Sequence, residues 1–372
     1  MPRLVALDLP GGPAFVEALR RAWADGDAVL PLDRRLAPPA RAALLRALRP
    51  AAVHDPDGEH DLPGGRPVTD GDAVVVATSG TTGAPKGVVL TRRAIEASTR
   101  ATSARLGVDP HRHRWLACLP LNHVGGLSVV TRAVLTGTPI TVLPGFDEPA
   151  VRAAAGAEVL VSLVPTTLRR VGSTIFRTVV LGGSAPPGDL PPNVVTTYGM
   201  TETGSGVVYD GLPLDGVEVA LTPGTGEIRL RGPMLLRCYR DASGEWSPLD
   251  ADGWLATGDA GRLDRDGRLQ VDGRLSELVI TGGENVWPAP VEAVLRAHPG
   301  VAHVAVAGRP DPEWGEKLVA WVVPSPAGPP SLDELRAMVR DQLAPFAAPR
   351  ELRLVEVLPT TAIGKVQRSL LP

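Results

Sequence analysis

Between residues 72 and 199 short apolar runs alternate with helical stretches, and apolar run after apolar run meets Gly, Ser or Thr at its C-terminal end. "DAVVVATS" (72–79), "RWLACLP" (114–120), "PITVL" (139–143), "EVLVSLV" (158–164), "TVVLGGS" (178–184) and "NVVTTYG" (193–199) predict strands. "TRRAIEASTRATSARL" (91–106) and "GGLSVVTRAVLTG" (125–137) predict helices between them. That alternation is the signature of an α/β sheet domain, whose ligand sites lie where the strands end.

The pattern changes twice further on. Between 215 and 273 it becomes short β segments with tight turns, such as "VEVAL", "GEIRLRG" and "GRLQVDG". After "GRLSE" (273–277) comes a compact run of strand, helix, two strands, helix and strand, the helices being "PAPVEAVLRAHPG" and "SLDELRAMVRDQL". This predicts a large domain over 1–273, a hinge at 274–276 and a small α+β domain over 277–372. A chain of 372 residues has the length for such a division. Residues 1–70 mix helical stretches such as "RAALLRALR" with Pro and Gly and show no evident chemistry.

A formal charge of -3 with no basic tail argues against nucleic acid as the partner. No run approaches the eighteen or so apolar residues of a membrane span, so no membrane insertion is expected. "MPRLVALDLPGG" is too weak for a signal peptide, which makes a cytoplasmic protein the expectation. Cys118 and Cys238 lack the spacing of a metal or redox motif and are expected to be buried free thiols.

The stretch "TSGTTGAPKGV" follows the first strand of the alternating region. Thr78, Ser79, Gly80, Thr81, Thr82 and Gly83 supply hydroxyls and flexible backbone N–H groups, and Lys86 supplies a cation. Together they can wrap a polyphosphate. The order is not Walker A, because Lys86 stands between Pro85 and Gly87 and no Gly-Lys-Ser/Thr is present there. Lysine is itself a signal here: of 38 basic residues only Lys86, Lys317 and Lys365 are lysines. A compact ammonium differs from a guanidinium where a point charge must fit between phosphate oxygens. Lys317, in "PEWGEKLVAW", reads as an exposed strand charge.

This loop and the motifs after it resemble the adenylate-forming superfamily of acyl-CoA synthetases, luciferases and adenylation domains, over residues 72–372. The resemblance implies a large N-terminal adenylate-forming α/β domain, shortened at its N-terminus, with a small mobile α+β C-terminal domain. It also implies ATP, Mg2+ and coenzyme A as the small molecules handled, and the possibility of a homodimer. In "YGMTET", preceded by Thr197, it places Tyr198, Gly199 and Met200 at the nucleotide, Thr201 on the α-phosphate and Glu202 on magnesium. In "LGGSAPP" it places Gly182, Gly183, Ser184, Ala185 and Pro186 around adenine. Asp259 of "ATGDAG" would accept the ribose hydroxyls, with Arg274 near ribose and phosphate. Lys365 of "TTAIGKVQR" would bridge the α-phosphate and the acid, and Gly282 and Gly283 of "TGGEN" would line the pantetheine path. In "LPLNHVGGL", His123 would orient the carboxylate. The family's pivot residue is commonly Asp or Lys, and this chain has Ser276 there.

Taken singly, several of these stretches read as ordinary turns, and His111 and His113 of "HRHRW" read as a solvated loop. Within the superfamily, "LPLNHVGGLSVVTRAVLTGTPITVL" and "VSLVPTTLRR" look most like the branch that joins o-succinylbenzoate, an aryl dicarboxylic acid of the menaquinone pathway, to coenzyme A. Other acids, other acceptors, or nucleotide binding without catalysis are the alternatives. A dicarboxylate needs a second cationic partner; Arg132 and Arg169 lie in the right region and otherwise read as surface charges.

Overall fold

The apolar runs form strands in the computed structural model, which describes residues 1–79, 85–183, 190–360 and 366–372. Seven strands make one sheet in the order Leu212–Pro213, Gly206–Tyr209, Val194–Gly199, Phe176–Leu181, Gly156–Leu163, Arg114–Ala117 and Ile140–Val142. The strands from Val194–Gly199 to Ile140–Val142 pair parallel, and helices Val124–Thr136, Glu148–Ala153 and Pro165–Val171 supply crossovers among them. Leu116, Val161 and Val179 are fully buried in its core. Helix Arg92–Leu106 begins where the Thr91 hydroxyl accepts from Ala94 N–H at 3.1 Å, and ends at Gly107 with φ 59°.

A second sheet has eight strands, in the order Glu245–Trp246, Cys238–Arg240, Pro85–Thr91, Asp72–Ser79, Ala28–Pro31, Leu4–Leu7, Ala52–Asp55 and Gly58–Asp61. Half of it comes from the first 70 residues. Strand Pro85–Thr91 was not foreseen, because it opens on Pro-Lys-Gly, residues with little preference for strands. It forms by antiparallel pairing with Asp72–Ser79, Thr78 standing opposite Lys86. The described residues on either side of the glycine-rich stretch are therefore the two strands of one antiparallel pair. Gly87 is required there, since a Cβ would come within 2.4 Å of Val75 Cγ1 and 3.1 Å of Leu48 Cδ2.

The chain divides into two compact units, Met1–Val219 with Leu230–Ala256, and Ala220–Arg229 with Thr257–Pro372. The expected hinge at 274–276 falls in the second unit, where Leu275–Glu277 forms a 3-10 turn directly after strand Leu269–Arg274. That unit holds a sheet of strands Glu284–Val286, Val279–Thr281, Gly315–Pro324 and Val301–Asp311, with Glu351–Leu354 pairing parallel to Gly315–Pro324. Helices Pro288–Leu295 and Leu332–Gln342 pack on it through Val291, Leu295, Leu335 and Val339. Lys317 is ion-paired with Glu351 at 2.9 Å. Among the described residues no helix is long and apolar enough to cross a membrane.

Strand Cys238–Arg240 reaches the sheet edge through two clamps. Arg237 forks onto Asp72 with bonds of 2.8 and 2.7 Å, and the Asp72 side chain is fully buried. Arg240, also fully buried, pairs with Glu245 at 3.1 Å and donates to the carbonyls of Leu48, Arg49, Arg66 and Pro67. Cys118 and Cys238 are buried free thiols, and burial pushes both up to about 12. Replacing Arg240 with Leu takes the guanidinium away from the carbonyls of Leu48, Arg49, Arg66 and Pro67 and leaves Glu245 with Arg237 as its cation. We expect Arg240→Leu to lower the stability of the first unit by about 3 kcal/mol, seen as an earlier urea unfolding midpoint; an unchanged midpoint would refute the clamp.

Candidate active site

Lys86 and Glu202 come from strands far apart in sequence, yet one side chain touches both. The Lys86 ammonium sits 3.5 Å above the centroid of the Tyr239 ring. The Tyr239 hydroxyl donates to Glu202 Oε1 at 2.7 Å. Strand alternation explains the first contact: Tyr239 stands opposite Val88, so Lys86, two residues before Val88, is its diagonal neighbour on the same face. The second follows from strand Val194–Gly199, which ends in the 3-10 turn Thr201–Thr203. The backbone of that turn is anchored to the same neighbourhood, because Leu236 N–H donates to the Glu202 carbonyl at 2.7 Å.

The turn itself is fixed by Thr203, which is fully buried. Its hydroxyl donates to the Ser205 carbonyl at 2.7 Å and accepts from Met200 N–H at 2.9 Å. Gly199 permits the chain to pass, since a Cβ there would lie 2.3 Å from the Ser205 carbonyl oxygen. Thr201 and Glu202 are thereby held, half-buried, at the C-terminal end of a central strand. Beside them, Leu181 pairs with Thr196, and the Thr197 hydroxyl donates to the Leu181 carbonyl at 3.2 Å. A Cβ on Gly182 would sit 2.8 Å from Thr197 Oγ1, so only glycine keeps this ledge flat.

His123 precedes helix Val124–Thr136, with its carbonyl accepting from Leu127 N–H at 2.9 Å. Its Nε2 is buried and makes no hydrogen bond within the protein. Burial pushes the imidazole below its ordinary value; Asp33 opposes that shift and Arg35 adds to it. Asp33 and Arg35 belong to the N-terminal segment that showed no chemistry in the sequence, and they pair with each other at 2.8 Å.

Arg132 corrects the sequence reading. It is 2% exposed and lies in a small cavity lined also by Ser98, Thr99, Ser128 and Thr131. Its guanidinium stacks 4.9 Å from the Trp115 ring, and Nη2 donates to Ser205 Oγ at 3.2 Å, but Nε and Nη1 have no partner within the protein. Burial lowers its pKa. Arg169, in contrast, is exposed as expected. His113 is also a correction: His111 is exposed, but His113 is 4% exposed, its Nδ1 accepting from Asp109 N–H at 2.8 Å.

In the second unit Asp259 and Arg274 face each other across strands Leu255–Leu263 and Leu269–Arg274, ion-paired at 2.8 Å. Arg274 also donates to the Thr257 carbonyl at 3.0 Å. Gly282 and Gly283 turn the hairpin between Val279–Thr281 and Glu284–Val286 with φ of 60° and 83°. A Cβ on Gly282 would meet the Trp314 ring at 2.9 Å. Gly80, Thr81, Thr82, Gly83, Ser184, Ala185, Pro186 and Lys365 lie outside the described residues, as does the side chain of Ser79.

Among the described residues no group of three or more His, Cys, Asp or Glu forms a metal cage. One half-buried carboxylate, Glu202, with a single oxygen engaged by Tyr239 fits a magnesium ion, which takes one or two carboxylates and fills its remaining positions with phosphate and water.

Lys86, at the start of strand Pro85–Thr91, and Glu202, just past the C-terminal end of strand Val194–Gly199, meet on one tyrosine of an α/β scaffold, in the kind of fold whose ligands lie beyond strand ends. Residues 54–240 match the AMP-binding enzyme family and residues 290–365 its C-terminal domain, so the chain belongs to the AMP-binding, adenylate-forming enzymes. It is 39% identical over 362 residues to a probable 2-succinylbenzoate–CoA ligase of Mycobacterium tuberculosis, covering 90% of this chain and 93% of that one. It is 36% identical over 327 residues to the 2-succinylbenzoate–CoA ligase of Listeria monocytogenes, covering 80% and 69%. The o-succinylbenzoate CoA synthetase of Bacillus subtilis, solved with the acyl-adenylate intermediate OSB-AMP, superposes with a TM-score of 0.86 at 28% identity, over 99% of this chain and 87% of that one.

The depressed His123 value has a measurable sign. The folded state disfavours the imidazolium, so the unfolded chain binds more protons below the ordinary value of 6.5, and stability falls as pH drops from there toward the folded value. NMR titration is expected to place the His123 ring below 6.5, and His123→Gln to flatten that part of the stability profile. A ring that titrates at or above 6.5 would contradict the burial argument.

Proposed function

We propose that the chain is an ATP-dependent acid:CoA ligase that converts o-succinylbenzoate to o-succinylbenzoyl-CoA through an acyl-adenylate. The similarity to 2-succinylbenzoate–CoA ligases supports the reaction class. The observation that carries the choice of acid is Arg132. A buried guanidinium with two unpartnered N–H directions is stabilised when an anion fills them. The cavity beside it, about 10 Å³, admits one water-sized group, such as a carboxylate oxygen. An acid with a second carboxylate supplies that anion.

In the first step a carboxylate oxygen attacks the α-phosphorus of ATP, a carboxyl-phosphate bond forms, and pyrophosphate leaves. The neutral His123 donates one hydrogen bond to the reacting carboxylate without adding charge. Thr201 donates to the α-phosphate, and Lys365 neutralises charge between the α-phosphate and the acid. Lys86 and the loop Thr78–Gly83 hold the departing pyrophosphate. Magnesium, when bound at Glu202, offsets the charge of the phosphates. The stretch Gly182–Pro186, with Tyr198, Gly199 and Met200, receives the adenine, and Asp259 and Arg274 receive the ribose and phosphate. In the second step the CoA thiolate attacks the acyl carbon and AMP leaves; Gly282 and Gly283 let the pantetheine pass close to backbone. The hinge for this exchange is proposed at 274–276, with Ser276 as pivot.

The direct test is pyrophosphate release followed by thioester formation with ATP, magnesium, o-succinylbenzoate and CoA. Turnover with a different acid, and none with this one, would reassign the substrate. Arg132→Met is expected to raise KM for o-succinylbenzoate ~30-fold or more, with far less effect on a monocarboxylic analogue; equal effects on both would remove Arg132 from the site. Lys365→Ala is expected to slow adenylation by ~10² or more while ATP still binds. Wild-type rates in that variant would overturn its role.

A further inference from the structure

Neither Lys86 nor Glu202 owes its place to its own segment alone: both rest on Tyr239. The ring is set by three neighbours on one sheet. Arg237 and Arg240 pin the strand on either side of it, and Trp246, paired with Tyr239 across the next strand, lies 5.3 Å from its centroid. The ring face is electron-rich and holds the Lys86 ammonium at 3.5 Å. The hydroxyl, at the ring's edge, donates a charge-assisted bond to Glu202 at 2.7 Å. One side chain therefore engages a cation and an anion at two different parts of its surface.

Without it, the two charges would attract each other directly. An ammonium and a carboxylate that engage the same side chain gain by pairing if they meet, and a direct pair would occupy the lysine's donors and the glutamate's oxygens together. We propose that Tyr239 is a positioning residue that keeps Lys86 and Glu202 side by side but apart, so that the lysine stays open to phosphate and the glutamate to a divalent cation. This deepens, and rests on, the ligase reading of the same site. The two functions of the side chain separate chemically: the ring serves the lysine, and the hydroxyl serves the glutamate.

Calorimetric titration of the full chain with ATP, once in excess magnesium and once in EDTA, tests this with neither acid nor CoA present. In the wild type magnesium should strengthen ATP binding. Tyr239→Phe keeps the ring and its packing on Trp246, so binding in EDTA is expected to stay within about twofold while the magnesium-dependent gain falls about tenfold. Tyr239→Leu removes the ring as well, and binding in EDTA should then weaken about threefold. A Tyr239→Phe protein with the full magnesium gain would overturn the proposal. So would equal losses in the two titrations, which mark a merely structural role. Failure of the wild type to bind ATP at all would instead sink the ligase reading, which keeps the two failures distinguishable.

Discussion

The buried Arg240 guanidinium ties three distant stretches of the first unit together. It reaches the carbonyls at the end of helix Pro38–Leu48 and just after it, those at Arg66 and Pro67, and the carboxylate of Glu245. A buried cation is tolerable only when its donors are satisfied, and here carbonyl dipoles and one carboxylate do so. The same interaction fixes strand Cys238–Arg240 against Pro85–Thr91, and Arg237 on Asp72 fixes its other end. Everything that the site asks of Lys86 and Glu202 depends on that strand being in register. A slip of one residue would turn Tyr239 to the opposite face and bring Arg240 out of its carbonyl cage.

Arg132 is the counter-example within the same unit. It is as buried as Arg240, but Ser205 is its one hydrogen-bond partner in the protein and Trp115 its stacking surface. The contrast separates two uses of a buried charge. Arg240 has its counter-groups built in and serves the fold; Arg132 leaves Nε and Nη1 without a partner among the described residues, which is the opening its proposed ligand role rests on. Burial lowers the pKa of both, and a guanidinium in a protein keeps its proton. The unmet demand for an anion is therefore a permanent property of the Arg132 cavity.

Much of this architecture was legible in the sequence, because strand and helix periods are local signals. The strands read between 72 and 199, helices Arg92–Leu106 and Val124–Thr136, and helices Pro288–Leu295 and Leu332–Gln342 all form where the pattern puts them. The motifs at Lys86 and Glu202 were legible too, as residue types whose order is hard to produce otherwise. What stayed hidden depends on contacts between segments far apart in sequence. Strand Pro85–Thr91 exists through its partner, and Tyr239 matters through neighbours 153 and 37 positions away along the chain. Arg132 read as a surface charge because an arginine is seldom buried, even within the apolar run "SVVTRAVL", and His113 read as part of a solvated loop because it stands in "HRHRW". Their burial follows from helix packing in one case and a backbone bond from Asp109 in the other. Asp33 and Arg35 carried no motif at all.

The scarcity of lysine now has a physical explanation at one position. In a chain with 38 basic residues of which three are lysines, Lys86 stands where an arginine would do harm. A guanidinium presents a planar fork that matches a carboxylate, as Arg237 does on Asp72 and Arg231 on Glu218. Over Tyr239 such a fork would compete with the tyrosine hydroxyl for Glu202, the carboxylate proposed to hold a metal. An ammonium has no such planar match. It rests on the ring, a weak and readily exchanged partner, and can leave it for phosphate oxygens and return when they depart. Under the proposed reaction, in which pyrophosphate is held in one step and released before the next, the weaker grip is the better one.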